Sequence, residues 1–121
     1  MKGVIFGLLF FLGLNHAQAG TVKTVYADEN TVLDLAISTS GTVLSFPTKP
    51  SKVLLGKNDA YHVEYIDEDL AILPKSYGSQ SNLFVYVLGR RFSLNLRTAG
   101  SAPAVYRIRD QKEKAYRGVQ K

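Results

Sequence analysis

The chain has 121 residues, no cysteine and no tryptophan, and its formal net charge is +5 at neutral pH. This length allows a single domain, and the lack of cysteine excludes disulfides and thiol chemistry, so stability must come from apolar burial. The charge is uneven, because residues 20–89 have a net charge of −3 and residues 90–121 have a net charge of +7. Such a basic segment binds nucleic acid, anionic lipid or an acidic protein surface, or only maintains solubility.

The first nineteen residues have the pattern of a secretory signal peptide. Lys2 is positively charged, residues 3–14 are apolar, and Ala17-Gln18-Ala19 places small residues where a signal peptidase reads them. The apolar run is shorter than the roughly 20 residues of a membrane-spanning helix. We therefore predict cleavage after Ala19 and a periplasmic mature chain that begins at Gly20. The alternative is an uncleaved N-terminal anchor.

The mature chain alternates between apolar and polar residues, which is the two-residue period of strands with one buried face. The alternation is clear in segments 31–37, 61–66 and 91–97. Segment 82–88 is almost entirely apolar and is predicted to be a central strand covered on both faces. Further predicted strands are Val22–Tyr26, Thr42–Phe46, Lys52–Leu55, Leu70–Leu73 and Val105–Arg109. The predicted core contains Leu33, Leu35, Val53, Val63, Leu73, Leu83, Val85, Phe92, Leu94 and Ile108.

Turn-forming residues separate these strands roughly every 8–12 residues, which is typical of an antiparallel β-sandwich. One predicted hairpin turns at Asp67-Glu68-Asp69 and another at Gly89-Arg90. The sequence thus predicts an all-β protein, a single antiparallel sandwich of about 8–9 short strands over residues 20–109.

Residues 110–121 are charged and have no apolar stripe, so we expect a short helix or a disordered basic tail. A basic segment can order itself on an acidic partner protein. The candidate partner-binding residues are Arg107, Arg109, Lys112, Lys114, Arg117 and Lys121.

Side chains with catalytic potential are few. His62 is the one histidine after the signal peptide, and it falls on the polar face of a strand, where a surface role is expected. The acidic cluster Asp67-Glu68-Asp69 could bind Ca²⁺, but its spacing is not that of a calcium loop and a hairpin turn explains it better. The sequence therefore predicts no catalytic, cofactor-binding or metal-binding residue and no enzymatic activity.

An ordered series of motifs covers residues 45–109. The series reads Ser45-Phe46-Pro47, Lys52-Val53-Leu54-Leu55-Gly56-Lys57-Asn58-Asp59, Ala60-Tyr61-His62-Val63, Leu70-Ala71-Ile72-Leu73-Pro74-Lys75, Ser81-Asn82-Leu83-Phe84-Val85, Gly89-Arg90-Arg91-Phe92-Ser93-Leu94-Asn95-Leu96 and Tyr106-Arg107-Ile108-Arg109. In order and composition it resembles the N-terminal domain of TrbG/CagX and TraK-like components of type IV secretion and conjugation machines.

The resemblance implies a periplasmic β-sandwich that acts as a non-enzymatic scaffold, with other envelope or secretion-apparatus proteins as partners. It implies no cofactor, and no nucleic acid is expected as a partner. Association with the outer membrane would then be indirect, through those partners. Two alternatives remain open: an unrelated small periplasmic binding module, such as an inhibitor or an envelope-stress protein, and a small hydrolase.

Overall fold

The computed structural model describes residues 21–113, and these form nine strands in two packed sheets. The strands are β1 (Val22–Ala27), β2 (Val32–Ser38), β3 (Thr42–Ser45), β4 (Lys52–Leu55), β5 (Tyr61–Ile66), β6 (Asp69–Pro74), β7 (Gln80–Val87), β8 (Arg90–Ala99) and β9 (Val105–Asp110). The five-stranded sheet has the order β1-β9-β3-β6-β5, and the four-stranded sheet has the order β2-β8-β7-β4. The predicted β-sandwich is confirmed. The predicted signal peptide lies outside the described residues.

Three strand pairs are parallel, which the turn spacing did not predict. β1 and β3 both run parallel to β9, and β2 runs parallel to β8. The remaining pairs, which include the β5–β6 and β7–β8 hairpins, are antiparallel. Parallel pairing arises here because the chain changes sheets between β1 and β2 and again between β2 and β3, so neighbouring strands are distant in sequence.

The core lies between the sheets and consists mainly of aliphatic side chains and four aromatic rings. Its buried residues are Ala27, Leu35, Ile37, Leu44, Phe46, Ala60, Tyr61, Leu70, Ile72, Leu83, Val85, Val87, Phe92, Leu94, Leu96, Tyr106 and Ile108, with Leu33, Val53 and Val63 packed at its margin. Each fully buried large side chain contributes roughly 1.5–3 kcal/mol relative to an exposed one. Apolar burial therefore supplies the stability that disulfides cannot.

The prediction that Leu73 belongs to the core is wrong. In β6 the alternation places Leu70 and Ile72 inside, both fully buried, whereas Leu73 is 41% exposed on the outer face opposite His62. The run Leu70–Leu73 is apolar throughout, so composition did not show which residues faced inward.

The two predicted hairpin turns each differ from the structure by one residue. The β5–β6 turn consists of Asp67 and Glu68, because Asp69 already pairs with Ile66. The β7–β8 turn consists of Leu88 and Gly89, because Arg90 already pairs with Val87. Leu88 and Gly89 both have positive φ, 52° and 73°, as the two-residue turn of type I′ requires.

The expectation that segment 82–88 is covered on both faces is also wrong. β7 is internal to its sheet, between β8 and β4, and its residues Leu83, Val85 and Val87 are buried. Phe84 and Tyr86 point away from the core and are half-buried on the outer face of the four-stranded sheet. No other layer packs on this face among residues 21–113.

Two tyrosines connect parts of the sandwich through their hydroxyl groups. The Tyr106 hydroxyl of β9 accepts a hydrogen bond from the Ala36 amide (3.1 Å) and donates to the Ala36 carbonyl (3.0 Å), so it links the two sheets. The Tyr61 hydroxyl donates to the Ser79 carbonyl at 2.7 Å and lies 3.0 Å from the Thr98 hydroxyl. Burial raises the pKa of both phenols, which keeps them neutral donors.

Candidate interaction surfaces

An ion-pair cluster of Arg90, Asp110 and Glu29 lies where β9 ends and the C-terminal segment begins. Arg90 donates two hydrogen bonds to Asp110, from Nε to Oδ2 (2.8 Å) and from Nη2 to Oδ1 (3.0 Å), and its Nη1 donates to Glu29 at 2.8 Å. A bidentate arginine–carboxylate pair is geometrically specific. The cluster therefore joins the β1–β2 loop, the start of β8 and the end of β9.

Asp110 also directs the chain beyond β9. Its Oδ1 accepts a hydrogen bond from the Lys112 amide at 3.0 Å, and residues 111–113 have helical backbone. This is the capping interaction that a carboxylate makes at the start of a helical turn. Burial raises the pKa of the Asp110 carboxyl, but the hydrogen bonds from Arg90 and Lys112 outweigh it, and the pKa lies below its usual value.

The candidate partner-binding cations do not form one group. Arg107 and Arg109 belong to β9 and are part of the folded sandwich, whereas Lys112 lies in the helical turn. Arg109 is half-buried, and its Nη1 donates to the carbonyls of Ser45 (3.2 Å) and Ile108 (2.9 Å). Arg107 and Lys112 are exposed. The other three candidates, Lys114, Arg117 and Lys121, lie outside the described residues.

The ion-pair cluster was missed by the sequence reasoning. Arg90 was placed in a turn, and Asp110 was counted only in the charge of the tail. Arg90 is 20 residues from Asp110 and 61 residues from Glu29 in sequence. No local pattern marks such a cluster, because Arg90 begins β8 in one sheet and Asp110 ends β9 in the other, and only the packing of the two sheets brings them together.

A second surface lies on the outer face of the four-stranded sheet. Leu54, Phe84, Ser93 and Val32 form one row across all four strands, and Lys52, Tyr86 and Arg91 form the next row. Leu54 is 45% exposed and Val32 is 62% exposed. Lys52 and Arg91 are also exposed, so this face combines apolar and basic side chains. Such a mixed patch suits contact with a protein.

His62 and the acidic turn occupy solvent-facing positions. The His62 Nε2 atom lies 3.1 Å from Glu64 Oε1, and both side chains are more than half exposed on the edge strand β5. Asp67 and Glu68 form the exposed β5–β6 turn, with Asp67 at a φ of 54°. Within residues 21–113, no three histidine, aspartate or glutamate side chains converge as metal ligands would.

Two pockets of the described region are partly open to solvent. One, of about 260 Å³, is lined by Thr39, Pro74 and the loop Lys75–Tyr77. Another, of about 230 Å³, lies at the base of the C-terminal segment between Pro47, Leu88 and Lys112. Among residues 21–113, no helix is long and apolar enough to cross a membrane.

No protein-family model matches the chain, and no curated protein sequence matches it.

Proposed function

We propose that the chain is a non-enzymatic periplasmic interaction domain, a scaffold comparable to the N-terminal β-domain of an outer-membrane core component of a type IV secretion or conjugation apparatus. The observation that carries the proposal is the agreement between the motif series and the strands. Each motif of the series falls on one strand or on the turn beside it, in the order β3 to β9. This agreement supports the proposal that the resemblance extends to the fold.

The aromatic residues of the motif series support a structural role for it. Phe46, Tyr61, Phe92 and Tyr106 are each no more than 4% exposed and belong to one core. The aromatic residues of the series therefore have a packing role, because buried aromatic rings fill a large volume of a sandwich core. The motif series therefore contains residues that stabilise the fold, and partner recognition would use residues on the surface of the sandwich.

The surfaces of the sandwich favour protein partners. Within residues 21–113 the edge strands of the two sheets are β1, β5, β2 and β4, and an edge strand can pair with a strand of another chain. Exposed cations at the end of the sandwich, Arg107 and Lys112, lead into a C-terminal segment that is rich in lysine and arginine. An acidic surface is the complementary partner.

The partner assignment is tested by crosslinking in intact envelopes. The tagged chain is exported in its native cell, crosslinked, purified under denaturing conditions and identified with its partners by mass spectrometry. Subunits of a secretion or conjugation apparatus should be recovered with the full chain. They should be depleted with a chain truncated after Asp110 and at raised salt, because exposed charges are screened beyond ~8–10 Å at physiological ionic strength. Recovery of only unrelated envelope proteins would refute the secretion assignment and favour the independent binding module.

Export is tested separately. N-terminal sequencing of the periplasmic protein should begin at Gly20, as the small residues at Ala17 and Ala19 indicate. A product that retains Met1 and stays in the inner membrane would contradict a periplasmic scaffold.

A further inference from the structure

The outer face of the five-stranded sheet has an unusual distribution of side chains. Val22, Val105, Val43 and Ala71 form an apolar row across four strands, and Glu64 ends that row on the edge strand β5. Val22 of β1 is 57% exposed, and Ile66 and Leu73, at the other side of the same face, are 51% and 41% exposed. The described residues 21–113 provide no layer that covers this face.

Charges on this face are separated into two halves by the central strand β3. In the row next to the apolar row, Ser45 of β3 lies between Arg107 of β9 and Asp69 of β6. Arg109 continues the positive half along β9, and the turn residues Asp67 and Glu68 continue the negative half beyond β6. Within the described residues, Arg107 and Asp69 form no ion pair.

We infer that this face binds the same face of a second copy of the chain, with a two-fold axis that runs along β3. A rotation about that axis exchanges the β9 side of one copy with the β6 side of the other. Each strand of one copy then lies over a strand of the other with the strand axes within about 30° of each other, which is a normal packing class for two sheets. In a two-fold dimer the same surface of both copies forms the interface, so that surface must be complementary to itself.

The register of the sheet makes the three central strands β9, β3 and β6 self-complementary, whereas at the edges Val22 of one copy lies over Glu64 of the other. Arg107 of each copy lies over Asp69 of the other, so the contact occurs twice. In the neighbouring row, Val105 lies over Ala71 of the other copy, and Val43 meets its own counterpart near the axis. Opposite charges therefore meet on both sides of Ser45 in one row, and apolar side chains meet in the neighbouring row, an arrangement that suits a specific interface.

The size of the face limits the strength of the dimer. Five strands about 4.8 Å apart and four to six residues long present roughly 400 Å². A standard stable interface buries about 800 Å² per partner, so this one belongs with the weak and reversible interfaces. Dimerisation should be visible at high protein concentration and should weaken as salt rises.

Charge reversal provides the decisive test. Sedimentation velocity of the exported chain (residues 20–121), from about 10 µM to about 1 mM, should show a reversible dimer. Arg107→Glu and Asp69→Arg should each raise the dissociation constant by about tenfold or more, because two ion pairs become two repulsions. An equimolar mixture of the two variants should recover wild-type affinity, since each reversed charge then meets a complementary one.

The matched control is Arg97→Glu, which reverses an exposed charge on the outer face of the four-stranded sheet. This variant should dimerise like the wild type. Thermal unfolding checks that all variants are folded. A wild-type chain that stays monomeric at the highest concentration overturns the inference. So does a mixture of Arg107→Glu and Asp69→Arg that associates no better than either variant alone.

A second measurement does not depend on charge. The chain has no cysteine, so Val43→Cys introduces a single thiol close to the proposed axis. A bismaleimide with a spacer shorter than about 10 Å should link two copies efficiently, because the backbones of packed sheets are about that far apart and the two thiols point toward each other between them. Ser93→Cys, half-buried on the opposite outer face, is the control and should remain largely monomeric. Equal crosslinking of the two variants would exclude the proposed axis.

Discussion

The hydroxyl of Tyr106, a buried residue of β9, links the two sheets. It makes hydrogen bonds to both the amide and the carbonyl of Ala36 in β2. Tyr106→Phe removes both hydrogen bonds and leaves the Ala36 amide and carbonyl without this partner. We expect a loss of about 1–3 kcal/mol in the free energy of unfolding. Urea denaturation measures it, and Tyr77→Phe, at a ring that is 88% exposed, is the control that should change nothing. Equal midpoints for the two variants would contradict this role.

Leu88 combines a positive φ of 52° with a side chain that is 73% exposed. The left-handed region costs a non-glycine residue roughly 1 kcal/mol, and asparagine tolerates it better than leucine. Leu88→Asn should therefore stabilise the domain by about 0.5–1 kcal/mol, measured as a higher midpoint in urea. Leu54→Asn, an exposed position in β4 with ordinary strand backbone, should give no gain. A destabilised Leu88→Asn variant would show that the Leu88 side chain makes a contact worth more than the strain.

Because of the Asp110 carboxyl, the free energy of unfolding of the domain should vary with pH in the acid range. Its folded pKa lies below the usual value, so the stabilisation by Arg90 is present above pH about 4 and is lost as the pH falls through the folded pKa. Asp110→Asn should lower the melting temperature at pH 7 by a few degrees, and the difference from wild type should shrink below pH about 4. Asp59→Asn, at an exposed turn residue, is the control. A difference between Asp110→Asn and wild type that is constant with pH would refute the ion-pair explanation.

At the scale of the element, a charged substitution should have very different effects on stability on the buried and the exposed face of a strand. Leu94 of β8 is 1% exposed and Leu73 of β6 is 41% exposed. Leu94→Asp should unfold the domain or cost more than about 4 kcal/mol, because it buries an unpaired charge. Leu73→Asp should change the free energy of unfolding by no more than about 1 kcal/mol. Circular dichroism and urea denaturation separate the two outcomes, and similar losses for both variants would contradict the assigned faces.

Most strands were predicted within two residues of their ends, because two-residue alternation and turn residues are local signals. β4 and β5 have the predicted bounds, Lys52–Leu55 and Tyr61–Ile66. The errors occurred where the local signal was ambiguous. The apolar run before Pro74 gave no sign that Leu73 faces outward. Leu88 was assigned to a strand because it continues the apolar segment 82–88, but it lies in a turn with positive φ, where leucine is unusual.

At the scale of the whole molecule, the C-terminal segment should be separable from the sandwich. Truncation after Asp110 keeps β9 and the pair between Asp110 and Arg90, so the free energy of unfolding should fall by less than about 1 kcal/mol. Truncation after Arg109 removes Asp110 as well and should be clearly less stable. Thermal unfolding of both variants measures this difference. A chain that unfolds when truncated after Asp110 would show that the removed residues form part of the core.

The amino-acid sequence by itself determined the β-sandwich, most strand positions and most of the core, because alternation, apolar continuity and turn chemistry act over a few residues. Only the tertiary structure decided the parallel pairing of β9 with β1 and β3, the cluster around Arg90, and the division of charge across β3. These features depend on which distant strands become neighbours. The order of the strands in each sheet depends on the packing of the whole core, and no local sequence pattern predicts it.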